Sequence, residues 1–193
     1  MSHPTLTPAP TVSTSWRRTA GRWMVSFLGF PLGGYASFLL VGPVDGLVAA
    51  LIGGLLTGAV LGAVQVWGFG ATRPPALRWV VATALGLMVG LGVGAAAVGF
   101  ATTLTALVVQ GALSGLAVGV AQAVVLASRL GRTALAWPVW LGAVWATGWA
   151  VTSAFGIQVD DQFTVFGSSG ALVVAALTAV LPVALKRTAT SAS

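Results

Sequence analysis

The chain has 193 residues, of which 57% are hydrophobic and only 6% charged, with a formal net charge of +6 at pH 7. An ordinary soluble domain carries about a quarter charged residues, so this composition excludes one and specifies a polytopic membrane protein. Cysteine is absent, His3 is the only histidine, and the acids are Asp45, Asp160 and Asp161, which excludes disulfides and thiolate chemistry.

Residues 1–15 are rich in Pro, Thr and Ser without apolar periodicity and read as a disordered cytoplasmic tail. Six apolar segments follow, at about 22–41, 47–69, 79–100, 104–127, 137–155 and 163–185. At 1.5 Å per residue each is long enough to cross a hydrocarbon layer of ~30 Å. Arg17, Arg18 and Arg22 precede or open the first span. Arg73 and Arg78 lie between the second and third, Arg129 and Arg132 between the fourth and fifth, and Lys186 and Arg187 after the sixth. All cations therefore fall on one side of a six-span chain and all three aspartates on the other, which places both termini in the cytoplasm. Ala, Gly, Val and Arg are favoured and Asn is absent, a composition that fits a bacterial cytoplasmic membrane. The cations are dispersed between apolar runs rather than gathered on one soluble surface, so no nucleic-acid partner is expected.

A stripe of small residues recurs along the chain. Gly54, Gly58 and Gly62 lead to Gln65; 57 residues later Gly111, Gly115 and Gly119 lead to Gln122; a fainter copy runs Gly167, Ala171, Ala175 to Thr178. Steps of 4, 4 and 3 residues keep each set on one helical face, a smooth surface of the kind that lets backbones approach closely in lipid. A second marker pairs Trp23 with Gly34, Trp79 with Gly90 and Trp137 with Gly148, each Trp opening an odd-numbered span. The expected fold is thus an all-α integral membrane domain over 16–187, with six transmembrane helices as three tandem hairpins (about 23–78, 79–136 and 137–187) and a tail at 188–193. Because every unit starts on the same side, these are parallel repeats about a pseudo-threefold axis. The three stripes are expected to converge on that axis.

Convergence would bring Gln65, Gln122 and Thr178 into a polar ring, either a constriction for a small solute or interhelical hydrogen bonds that fix register. Gln110 is a further polar candidate with no counterpart, since Gly53 and Phe166 stand at the matching positions. Trp23, Trp67, Trp79 and Trp137 are expected in the interfacial aromatic belt. Trp140, Trp145 and Trp149 continue along the fifth span as an imperfect stripe. Gln158, Asp160, Asp161 and Gln162 form the longest outer loop, read as solvated charge rather than a cation site.

No span holds a Lys, His or Cys, so no Schiff base, haem or metal ligation is expected and the cofactor set is empty. The run Gly167-Ser168-Ser169-Gly170 resembles the Gly-x-Ser-Gly signature of rhomboid intramembrane proteases, which imply six helices and a serine nucleophile. The only histidine lies in the N-terminal tail and Lys186 beyond the far end of the last span, so no base accompanies the serines. Three two-helix repeats are also similar in architecture to mitochondrial-type carriers, without their charged motif. Size and span count are similar to the substrate-binding subunits of energy-coupling-factor transporters. The reading that results is a non-enzymatic membrane protein acting through helix–helix contacts as subunit, assembly factor or scaffold, its partners being the bilayer and other membrane subunits or itself. The alternatives are a small transporter or channel using the polar ring, and a lipid- or pigment-binding protein.

Overall fold

The computed structural model describes residues 13–157 and 167–191, with side chains over 16–157 and 167–188. The start of the predicted sixth span, residues 163–166, and the outer loop with Gln158, Asp160, Asp161 and Gln162 lie outside the described residues, as do residues 1–12. The described chain is helical with no strand, in the order α1 (Ser13–Met24), a 3₁₀ turn (Val25–Leu28), α2 (Gly29–Val41), α3 (Leu47–Phe69), a 3₁₀ turn (Gly70–Thr72), α4 (Ala76–Ala97), α5 (Leu104–Leu130), a 3₁₀ turn (Gly131–Ala136), α6 (Trp137–Ala154), α7 (Ser168–Thr178) and α8 (Val180–Ser191). Helix therefore begins at Ser13, inside the expected N-terminal tail, and continues through the expected C-terminal one to Ser191.

Five stretches are long and apolar enough to cross a membrane: Trp16–Val41, Leu47–Thr72, Ala76–Ala97, Leu104–Ala154 and Ser168–Thr188. The fourth, of 51 residues, holds α5 and α6, which fold back on one another across the Gly131–Ala136 turn.

Proline explains both interruptions within helices. Pro31 has no N–H for the Phe27 carbonyl and its ring crowds that carbonyl, so the backbone around Phe27 tightens into the 3₁₀ turn Val25–Leu28. Pro182 does the same to Thr178, where α7 ends and α8 starts two residues on. Glycine ends the long helices. Gly70 after α3 has φ 60° and ψ −129°, and Gly131 after α5 has φ 54° and ψ −135°, a region closed to residues with a Cβ. Gly131→Ala is therefore expected to lower stability by about 1–3 kcal/mol. Gly21→Ala, in α1 with nothing within 4 Å of the added methyl, should be neutral or stabilising by up to about 1 kcal/mol. Thermal unfolding of the detergent-solubilised chain measures both.

Consecutive helices pack antiparallel, each on the next: α2 on α3, α3 on α4, α4 on α5, α5 on α6 and α6 on α7. The circle is closed where α7 meets the Val25–Leu28 turn and α8 meets α1. In this ring the glycine stripes do not meet one another, contrary to the expectation of convergence. Gly54, Gly58 and Gly62 of α3 lie on α4, where an added Cβ would fall 2.6 Å from the Leu87 carbonyl oxygen, 2.7 Å from Ala84 Cα and 3.0 Å from Val80 Cα. Gly111, Gly115 and Gly119 of α5 lie on α6, against Trp149, the Leu141 carbonyl (2.5 Å) and Pro138 Cα (2.5 Å). On α7, Gly167 is the N-cap and packs on Ile157, while Ala171 and Ala175 are fully buried. In a ring each helix has two flanking neighbours, and the smoothest face goes to the closer of them.

The opposite contact uses a second glycine set, on the other helix of each pair. Gly29 and Gly33 of α2 press on Leu61 and Thr57 of α3, and Ser37 reaches Gly53. Each contact recurs 57 positions on: Gly86 on Val118, Gly90 on Ser114, Gly94 on Gln110. Gly148 and Gly170 meet in the same sense between α6 and α7. The partner of Trp23 in this register is thus Gly33 and not Gly34, one residue short of the spacing after Trp79 and Trp137. The 3₁₀ turn makes up the difference: four residues at ~2.0 Å and 120° each recover the rise and rotation of the missing α-helical residue.

Candidate functional site: an indole and amide ring on the bundle axis

Three residues beyond the last stripe glycine, a side chain sits about 60° further round the helix. That turn carries Gln65, Gln122 and Thr178 off the helix–helix contacts and onto the axis. All three line one cavity, together with Trp23, Trp79, Trp137, Ser26, Phe30 and Trp145. Its volume is about 10 Å³, the room taken by a single water at most.

Each polar tip accepts a hydrogen bond from an indole. Trp79 Nε1 donates to Gln65 Oε1 at 2.9 Å, Trp137 Nε1 to Gln122 Oε1 at 2.8 Å, and Trp23 Nε1 to Thr178 Oγ1 at 3.0 Å. The first two bonds join α3 to α4 and α5 to α6. The third joins α1 to α7, across the closure of the ring. From Gln122 the network continues: Nε2 donates to Thr83 Oγ1 at 3.0 Å, and that hydroxyl donates to the Trp79 carbonyl at 2.9 Å. Gln122, 1% exposed, thus has both ends of its amide engaged. Gln65 is half-buried and Thr178 buried. Thr178 also donates back to the Val174 carbonyl at 2.7 Å, the usual bond of a helical threonine.

Trp23, Trp79 and Trp137 were expected at the headgroup belt; they are instead buried, at 1%, 0% and 8% exposure. Phe69 ties two of them together, its ring centroid 4.6 Å from Trp23 and 5.0 Å from Trp79, the latter edge-on at 88°. Phe30 meets Trp145 edge-on at 5.5 Å. Such aromatic pairs are worth about 0.5–1.5 kcal/mol each beyond the area they bury. Trp67 alone of the four candidates is half exposed, at 53%, with the Arg22 guanidinium 4.5 Å from its ring centre. In the α6 stripe Trp145 and Trp149 are buried and Trp140 is 41% exposed.

Gln110 stands apart from this ring, buried in α5 against Gly94 of α4. Its lack of a counterpart has a packing reason. Where α2 meets α3 a serine, Ser37, faces Gly53; where α4 meets α5 a glycine, Gly94, faces Gln110. Bulk has moved from one helix to the other at the same contact. The exchange leaves a mark on the next residue of the interface. Thr57 shares its hydroxyl with Ser37 at 2.8 Å, whereas Ser114, its counterpart, has a buried hydroxyl without a partner.

Comparison with protein-family models, curated proteins and solved structures finds no match to this chain. The site is accordingly read from its own residues. It holds four indoles, three of them donating within the ring, two amides, a threonine and a serine, with no titratable side chain among the residues lining the cavity. Such a set donates and accepts hydrogen bonds. Sequence reasoning picked out the three acceptors and the three tryptophans separately and missed that they pair. The signal was there: Gln65 and Trp79 are 14 residues apart, Gln122 and Trp137 are 15 apart, each pair facing across one basic connection.

Proposed function

We propose that this chain is a non-catalytic protein of a bacterial cytoplasmic membrane that works through helix–helix contacts, as a subunit, assembly factor or scaffold of a membrane complex. The observation that carries this reading is the closed axis, where tryptophan, glutamine and threonine satisfy one another around about 10 Å³. A constriction built for a solute would present unsatisfied amides, and here the acceptor atoms of the ring are engaged by indoles of the same chain.

The finer architecture belongs to the same proposal. The α5–α6 stretch counts as two spans, which makes six in all. The contacts that recur at 57-residue spacing, and the Trp-to-acceptor bond found three times round the ring, support three tandem hairpins about a pseudo-threefold axis. Arg73, Arg129 and Arg132 stand at the end opposite Asp45, which supports cytoplasmic termini.

With no native cysteine, single introduced cysteines report topology and neighbours directly. Asp45→Cys is expected to react with an impermeant maleimide on intact cells, and Arg132→Cys only after permeabilisation. A photo-crosslinker at exposed positions such as Leu85 or Val124 is expected to give one discrete protein adduct in native membranes. Lipid adducts alone at every such position, or solute flux into proteoliposomes above that of empty vesicles, would overturn the scaffold reading.

A further inference from the structure

The geometry points to a headgroup site for an anionic phospholipid at the basic end of the bundle, built on Arg22, Trp67, the turn Gly70–Thr72 and Arg129. The inference rests on the membrane reading above but not on the scaffold role.

Charge sets the problem. Among the described residues the one carboxylate is Asp45, in the loop between α2 and α3, at the far end from this corner. No described side chain at the basic end is able to neutralise Arg22 or Arg129. Both guanidinium groups are nevertheless held in place by backbone. Arg22 Nε donates to the Trp67 carbonyl at 2.8 Å and its guanidinium lies over the Trp67 ring. Gly70 borders the same group, a methyl there lying in ordinary contact with the guanidinium at 3.5 Å. One terminal nitrogen of Arg129 donates to the Thr72 carbonyl at 2.9 Å. Two cations are thus docked on the same turn, Arg22 beside Gly70 and Arg129 on the Thr72 carbonyl two residues on.

Arginine forks fixed this way match the paired oxygens of a phosphodiester. Three features favour a lipid over a free anion. Trp67 is half exposed beside Arg22, the pose of an indole at headgroup depth. Leu77, in the first turn of α4 shortly after Thr72, is 77% exposed, an apolar side chain for the acyl chains of the same lipid. Arg73, Arg78 and Arg132 are exposed around it and raise the local concentration of anionic headgroups.

The test is native mass spectrometry of the full chain, delipidated in mild detergent and then given phosphatidylglycerol or phosphatidylcholine with identical acyl chains. Phosphatidylglycerol is expected to be retained and phosphatidylcholine lost. In Arg22→Gln/Arg129→Gln retention should fall about 30-fold, and in Arg22→Lys/Arg129→Lys, which keeps charge without the fork, by an intermediate factor. Should the glutamine pair fail to fold, the lysine pair carries the test. Equal loss in Arg17→Gln/Arg18→Gln would reveal diffuse attraction and overturn the site. A thermal shift from inorganic phosphate alone, matching that from the lipid, would assign the corner to a free anion and overturn the lipid. An acidic protein that leaves with the glutamine pair while lipid retention is unchanged would overturn it as well.

Discussion

Gly115→Leu is expected to abolish the folded monomer, leaving aggregate in place of a symmetric peak on size exclusion. A Cβ at this position would lie 2.5 Å from the Leu141 carbonyl oxygen, 2.9 Å from its carbon and 3.0 Å from Gly142 Cα. These are backbone atoms of α6, so no side chain is able to swing aside and the two helices must separate. Overpacking of this kind costs about 1–3 kcal/mol for a single methyl, and a leucine adds three further carbons against the same wall. In lipid no expulsion of water compensates for lost contact between helices. Gly115→Ala should therefore show a Tm loss with the fold retained. Leu116→Ala, one position on and 41% exposed, should be near neutral. A wild-type Tm for Gly115→Leu would mean that α5 and α6 do not pack as described.

Gln122→Leu is expected to be the most damaging substitution of the axial ring. It removes the acceptor of Trp137 Nε1 and the donor to Thr83 in one step, inside a site 1% exposed. Single interhelical bonds in membranes average about 0.6 kcal/mol, while a buried donor left without a partner costs about 1–3 kcal/mol. The sum favours a loss of about 2 kcal/mol, larger than for Gln65→Leu, which removes one bond at a half-buried position. A double-mutant cycle with Trp137→Phe separates the terms, because the phenylalanine needs no acceptor. Stability recovered in the double variant identifies the orphaned indole as the cause. Additive losses would detach Gln122 from Trp137.

Much of this architecture is legible in the sequence for a simple reason. In a chain this apolar the helices are found by length and by where the charges fall, and both are unambiguous at α3, whose bounds Leu47–Phe69 match the segment expected, and at α6, which begins at Trp137. The glycine stripes declare a smooth face, and the face is real. What lies against it is another matter, because a pattern along one helix says nothing about which neighbour occupies it. Expecting α3, α5 and α7 to meet gave too much weight to symmetry and too little to the fact that a ring puts unlike helices side by side. The second set, Gly86, Gly90 and Gly94, is equally visible in the sequence, where only Gly90 stands out, as the mate of Trp79. The shift from Gly34 to Gly33 depends on a local change of helix type, legible only through Pro31 and its missing N–H. Gln110 looked like a functional exception because its partner glycine stands on another helix, out of reach of any local reading.

The bond from Trp23 to Thr178 spans 155 residues of chain, and this separation orders events at the ribosome. The other two indole bonds, Trp79 to Gln65 and Trp137 to Gln122, each join a helix to the one made just before it and form as translation proceeds. The first indole must wait for nearly the whole protein. Until the last helix is released, the flank of α1 and the Val25–Leu28 turn stays open within the bilayer, an interval during which an insertase or a membrane chaperone has a defined surface to hold.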